Sequence, residues 1–172
     1  MTKGIALGTA LLVASCWTVG CGDDGALDDG GQSSDEVPCP ETIPPFVATA
    51  SDGLEAAGED GLITAKLIDA DWKPPRVWRN DWTLLFRNAE GEPLDDIEIE
   101  MARPWMAVHG HDGEFPPTIT KLDESGTVQF DDINFARMSG PWEVQIEATS
   151  ASAGSDYIVF DVCVGRMPRR AQ

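Results

Sequence analysis

The chain has 172 residues and carries 30 acidic against 12 basic side chains, a formal net charge of −18. Charge of this sign excludes nucleic-acid binding, which rests on Lys and Arg neutralising phosphates. It also argues against docking on anionic lipid through the domain itself. The acidic residues form no ligand-like cluster and read as a solubilising surface.

In chain order, Lys3 supplies a short positive segment, and Gly4 to Ala14 is an almost unbroken apolar and small-residue run. A bilayer-spanning helix takes about 20 apolar residues, so this run reads as the core of a signal peptide over residues 1–20. Thr18-Val19-Gly20-Cys21 resembles a bacterial lipobox, which makes Cys21 the expected lipidation site. Val13-Ala14-Ser15-Cys16 matches that pattern better residue by residue, but it shortens the apolar run and sets Trp17 beside the lipid. A plain secretory signal with unmodified cysteines is a further alternative. Gly22 follows Cys21 with no Asp directly after the lipid position, so the expected destination is the cell envelope, at the outer membrane of a Gram-negative bacterium.

Residues 21–38 are then a lipid-anchored acidic linker. Gly22 to Val37 reads GDDGALDDGGQSSDEV, too poor in apolar side chains to offset the entropy of ordering. Its root-mean-square reach is on the order of 20–25 Å. With Cys16 removed and Cys21 lipidated, Cys39 and Cys163 remain. A pair in an oxidising compartment implies a disulfide, the alternative being two separate buried thiols. Closing so long a loop is worth at most roughly 4–5 kcal/mol in chain-entropy models.

Residues 39–165 form one domain of ordinary size, followed by a basic tail at 166–172. Apolar residues recur with period two: Leu62 to Ile68; Trp82, Leu84, Phe86; Ile97, Ile99, Met101; Trp142, Val144, Ile146, Ala148; and Ile158, Phe160, Val162. Turn residues at Asn88 to Gly91 and Asp123 to Gly126 separate the runs. This predicts an all-β, antiparallel, Ig-like β-sandwich. Ser51 to Gly61 predicts one short turn at most. Trp82 and Trp142 belong to the predicted core, and Trp72 and Trp78, in a Pro-rich crossover, are expected to cover a core edge.

The chain's two histidines, His109 and His111, flank Gly110. In an extended stretch both rings point to one side. Met106 lies just before them and Met138 lies in a second loop. Thioether with imidazole suits copper, Cu(I) above all, better than zinc. The expected metal ligands are therefore Met106, His109, His111 and Met138; without metal, the histidines are polar loop residues and the methionines pack the apolar edge.

The stretch from Trp82 to Ala148 resembles the YtkA-like domain, a small Ig-like module of exported bacterial lipoproteins related to the FixH proteins. The likeness lies in an order of pieces: Gly91 to Leu94, Ile97 to Glu100, Pro104-Trp105-Met106, His109-Gly110-His111, Pro117 to Thr120, Gly126, Asn134-Phe135, Met138 and Gly140-Pro141-Trp142. It covers about the central half of the domain. Where members of that family often have Pro after the first Met, this chain has Ala107. The resemblance implies an exported module discussed alongside copper handling and respiratory oxidase assembly.

No nucleophile constellation is fixed by the sequence, and Gly-rich phosphate loops are absent, so the expectation is a non-enzyme. Two functions follow. The first is a non-catalytic binding module acting through protein interaction or structure, with a protein partner in the envelope and the membrane reached through the N-terminal lipid. The alternative is a periplasm-facing module that binds or handles copper.

Overall fold

The computed structural model describes residues 37–166, all within the compact unit Gln32–Gln172. The leader, Cys16, Cys21, most of the linker and the tail beyond Arg166 lie outside the described residues. The strands are β1 (Glu55–Ala57), β2 (Ile63–Ala70), β3 (Arg79–Asn88), β4 (Glu98–Met106), β5 (His111–Asp112), β6 (Thr118–Lys121), β7 (Thr127–Asn134), β8 (Gly140–Ser150) and β9 (Gly154–Val164).

They form two antiparallel sheets, β1-β2-β3-β7-β6 and β5-β4-β8-β9. The all-β sandwich expected from the period-two runs is what the chain adopts. The inward faces supply the core: Ile63, Ala65 and Leu67 from β2; Trp82, Leu84 and Phe86 from β3; Val128 and Phe130 from β7; Trp142, Val144, Ile146 and Ala148 from β8; Ile158, Phe160 and Val162 from β9. Each alternates with a more exposed neighbour, as a strand with one wet face must.

Three local expectations change. Glu55–Ala57, expected to hold a turn at most, is a short strand that pairs Ala57 with Thr64; three residues are too few to show alternation. In β4 the register shifts between Ile99 and Met101. Ile99 pairs with buried Ala148, whereas Met101 pairs with exposed Glu147, so the bulge at Glu100 turns Met101 outward and brings Ala102 and Met106 into the core. The third concerns Trp78, which is 40% exposed and does not cover the core.

The disulfide is formed. Cys39 and Cys163 are joined with a Cα–Cα distance of 5.8 Å, inside the roughly 4.4–6.8 Å that a disulfide allows. Cys163 pairs with Pro141 on β8, and the carbonyl of Val37 lies against Gly140. The linker therefore joins the domain where β8 begins. The ends of β4, β7 and β9 and the start of β3 meet at the same end of the sandwich, which also carries both histidines and Met138.

Candidate metal centre

The site is assembled by two loops. β4 ends at Met106, whose carbonyl accepts hydrogen bonds from the N–H groups of His109 (3.1 Å) and Gly110 (2.8 Å). Gly110, at φ 66°, closes this turn in the left-handed region that favours glycine. His111 then opens β5 opposite Met106. The stretch is thus a tight turn and not the extended run that strand alternation assumed. The two rings still lie side by side, centroids 6.1 Å apart and planes 20° from parallel. Directly paired residues share a face of a sheet, so His111 follows buried Met106 inward and meets Trp142 at 5.6 Å between centroids. His109 stays exposed.

Met138 comes from the β7–β8 loop. Asn134 Oδ1 accepts the Ala136 N–H at 2.7 Å. Ala136 and Arg137 both adopt positive φ (46° and 60°), an unusual run for residues with a Cβ. The chain then turns back, the Met138 N–H donates to the Phe135 carbonyl at 3.0 Å, and the indole Nε1–H of Trp142 donates to the Met138 carbonyl at 3.1 Å. This fixes the Met138 sulfur 3.2 Å from His111 Nε2.

The proton count on His111 gives that contact its meaning. His111 Nδ1 lies 2.8 Å from the Asp112 carbonyl oxygen. A carbonyl only accepts, so Nδ1 carries the proton. In the neutral ring Nε2 then presents its lone pair to the lone pairs of a thioether. Two such groups side by side form a pair of donor atoms that a soft metal ion could share. With zinc's bonds of about 2.0 Å to imidazole nitrogen and 2.3 Å to thiolate sulfur as the yardstick, a 3.2 Å edge corresponds to an angle of about 96° at a shared ion, narrower than tetrahedral. The hydrogen bond from Nδ1 is also the outer-shell partner that orients a metal-binding imidazole.

Of the four expected ligands, the fold brings His111 and Met138 into contact and sets the His109 ring beside that of His111. Met106 lies on the inner side, fully buried, its methyl carbon near the place where a side chain on Gly140 would begin. Among the described residues no group of three His, Cys, Asp or Glu gathers as a ligand set. Sequence reasoning placed Trp142 in the core, where it is, but missed its second task of holding both the His111 ring and the Met138 carbonyl. Nothing in a period-two pattern signals that hydrogen bond.

Beside this centre a cleft of about 250 Å³ is lined by Ile43, Val108, Pro141, Trp142, Glu143 and Asp161, among others. Asp161 and Glu143 face each other across β8 and β9. Desolvation at the cleft wall, with the charge of Glu143 added, raises the Asp161 pKa above the usual carboxylate range. No protein-family model, no curated protein and no solved structure matches the chain.

Proposed function

We propose that this domain is a non-catalytic, copper-handling module of the bacterial cell envelope. In this reading it binds Cu(I) between His111 Nε2 and Met138 Sδ, with His109 as the outer ligand and a lipid on Cys21 as the anchor. The observation that carries the reading is the 3.2 Å contact between two lone-pair atoms, one of them on a ring whose other nitrogen already donates its proton. Thioether sulfur selects Cu(I) over zinc. Met106 completes the donor set if the ion is drawn inward. The YtkA-like and FixH-related order of motifs supports the same reading.

The test is titration of the protein with Cu(I) under a competing Cu(I) chelator, and separately with Zn²⁺, reading Trp fluorescence because Trp142 abuts His111. Tighter binding of Cu(I) than Zn²⁺ is expected. His111→Ala should remove most of the Cu(I) affinity, and Met138→Leu should weaken Cu(I) while leaving any zinc binding unchanged. His109→Ala with His111→Ala should abolish Cu(II) binding. Wild-type Cu(I) affinity in the double-His variant would sink the copper reading.

A protein-interaction role has its own support. The outer face of β4, β8 and β9 presents Met101, Arg103, Trp105 and Tyr157, with the guanidinium of Arg103 5.2 Å from the Trp105 ring centre. Aromatic residues, Met and Arg are the types enriched at interfaces.

A further inference from the structure

The chain is strongly acidic, but its cations are not spread evenly. At the end of the sandwich that holds the metal centre, Arg76 lies over the Trp72 ring at 4.0 Å and Arg137 over the Trp78 ring at 4.4 Å. Neither guanidinium is within ion-pair distance of a carboxylate among the described residues. Arg79 at the same end is paired with Asp132 at 3.0 Å. Trp78 is 40% exposed and Val108, in the histidine turn, 58%. Trp78 is also held at φ 101°, an outlier for a bulky residue that persists only where the surroundings impose it. Its carbonyl accepts the Phe135 N–H at 3.3 Å, and Arg137 stacks on its ring. The strain thus keeps an indole in water with a cation on its face.

Both chain ends meet here. Val37 packs on Gly140, Gly165 pairs with Arg76, and the sequence runs on from Arg166 through Arg169 and Arg170. We propose that this end of the domain docks on the anionic headgroups of a lipid bilayer, with Trp78 and Val108 at the interface and Arg76 and Arg137 on lipid phosphates. Indoles favour the membrane–water interface, and a guanidinium binds phosphate while stacked on an aromatic ring. A net charge of −18 does not forbid this. At physiological salt the Debye length is about 8 Å, whereas β8 alone, 11 residues long, spans roughly 36 Å at strand rise. A headgroup surface therefore feels mainly the charges at this end, where Arg76, Arg79 and Arg137 gather around Trp78 while Asp112, Glu143 and Asp161 lie on the other sheet, β5-β4-β8-β9. The linker outside the described residues reaches on the order of 20–25 Å, short enough to keep this end near an anchored lipid. From the proposed function the inference borrows only that anchor, and it makes no use of copper. The metal centre would then open at the bilayer surface, within reach of a membrane-embedded donor or acceptor.

The experiment is vesicle flotation of the chain from Gly22 onward, which holds every described strand and the closing disulfide but neither leader nor lipid. Its outcome is thereby separate from both lipidation and copper binding. Flotation is expected with vesicles of phosphatidylcholine containing phosphatidylglycerol, to fall with added salt, and to be lost with phosphatidylcholine alone. Arg76→Glu with Arg137→Glu should weaken it about tenfold or more, since each cation near an anionic surface counts for about one kcal/mol. Trp78→Ala should weaken it with the melting transition retained. Lys121→Glu, at the opposite end, is the control for net charge and should matter little. Equal flotation on both lipids, equal loss with Lys121→Glu, or no flotation overturns the proposal. Retention on polyglutamate through Arg76 and Arg137 without flotation would instead assign the surface to an acidic protein.

Discussion

Among single residues, Asp156 shows how a buried carboxylate is made to fit. It is 4% exposed, and its oxygens accept the N–H groups of Asp60 (3.0 Å), Leu62 (2.8 Å), Ile63 (3.0 Å) and Tyr157 (2.9 Å). Burial by itself raises the pKa, but the four hydrogen bonds favour the charged form and together outweigh it, so the net shift is downward. A carboxyl whose pKa is depressed on folding stabilises the fold above its unfolded value of about 3.9, and that contribution is lost as pH falls through the folded pKa. Asp156→Asn keeps the shape but removes the charge and half of the acceptor capacity; urea unfolding at neutral pH should show a loss of about 2–4 kcal/mol. The same variant should unfold with less dependence on pH in the acid range than wild type. An unchanged acid limb would show that Asp156 is not what titrates there. Trp142 is the corresponding residue at the proposed copper site. Trp142→Phe keeps an aromatic core side chain and deletes the donor to the Met138 carbonyl, so Cu(I) affinity should drop several-fold. Restoration of that affinity by His as a smaller N–H donor at position 142 is not expected, because the ring would no longer fill the core beside Phe135 (5.4 Å between centroids).

Single elements show where sequence pattern reaches and where it stops. The alternation in β8 and β9 is readable because both strands keep one register along their whole length, Gly140 with Val164 to Ser150 with Gly154. In β4 the same method fails at Met101, since a bulge inserts a residue and flips the faces beyond it. That bulge sits on the part of β4 that β5 leaves uncovered. With the charged Glu98 it guards an open strand edge against pairing. The candidate site was legible in its residue types: His109, His111 and Met138 stood out as soft-metal donors, and the fold brings His111 against Met138 and sets the His109 ring beside His111. Its geometry was not legible, because it depends on two turns with positive φ and on a Trp hydrogen bond. The β7–β8 loop allows these to be separated. Ala136→Gly removes the steric cost of φ 46°, so stability should stay level or rise by up to about 1 kcal/mol. The loop that positions Met138 becomes looser, and Cu(I) affinity should fall. If affinity and stability rise together in thermal melts and titrations, the strained loop has no part in holding the sulfur.

At the scale of the molecule, the disulfide ties the linker to the sandwich at the end where His111 and Met138 meet. The sequence separation between Cys39 and Cys163 is 124 residues, so the bond closes nearly the whole domain and restricts the unfolded chain more than any single local contact. It also holds the segment after Cys39 in place, where Pro40, Thr42 and Ile43 wall the cleft beside Trp142 and Val108. Two effects should therefore follow from Cys39→Ser with Cys163→Ser. Global stability should fall by roughly 2–5 kcal/mol, read from denaturant unfolding with the slope compared against wild type, since a change in slope would report a less restricted unfolded state. The second effect is local. Val37 would no longer be held against Gly140, and solvent would gain access to the Met106 side of the centre. Amide exchange should quicken first in residues 37–47 and at Gly140, while the paired interiors of β8 and β9 keep their protection. Uniform loss of protection across both sheets would mean that the disulfide supports the whole sandwich equally and has no particular hold on the end that carries the site.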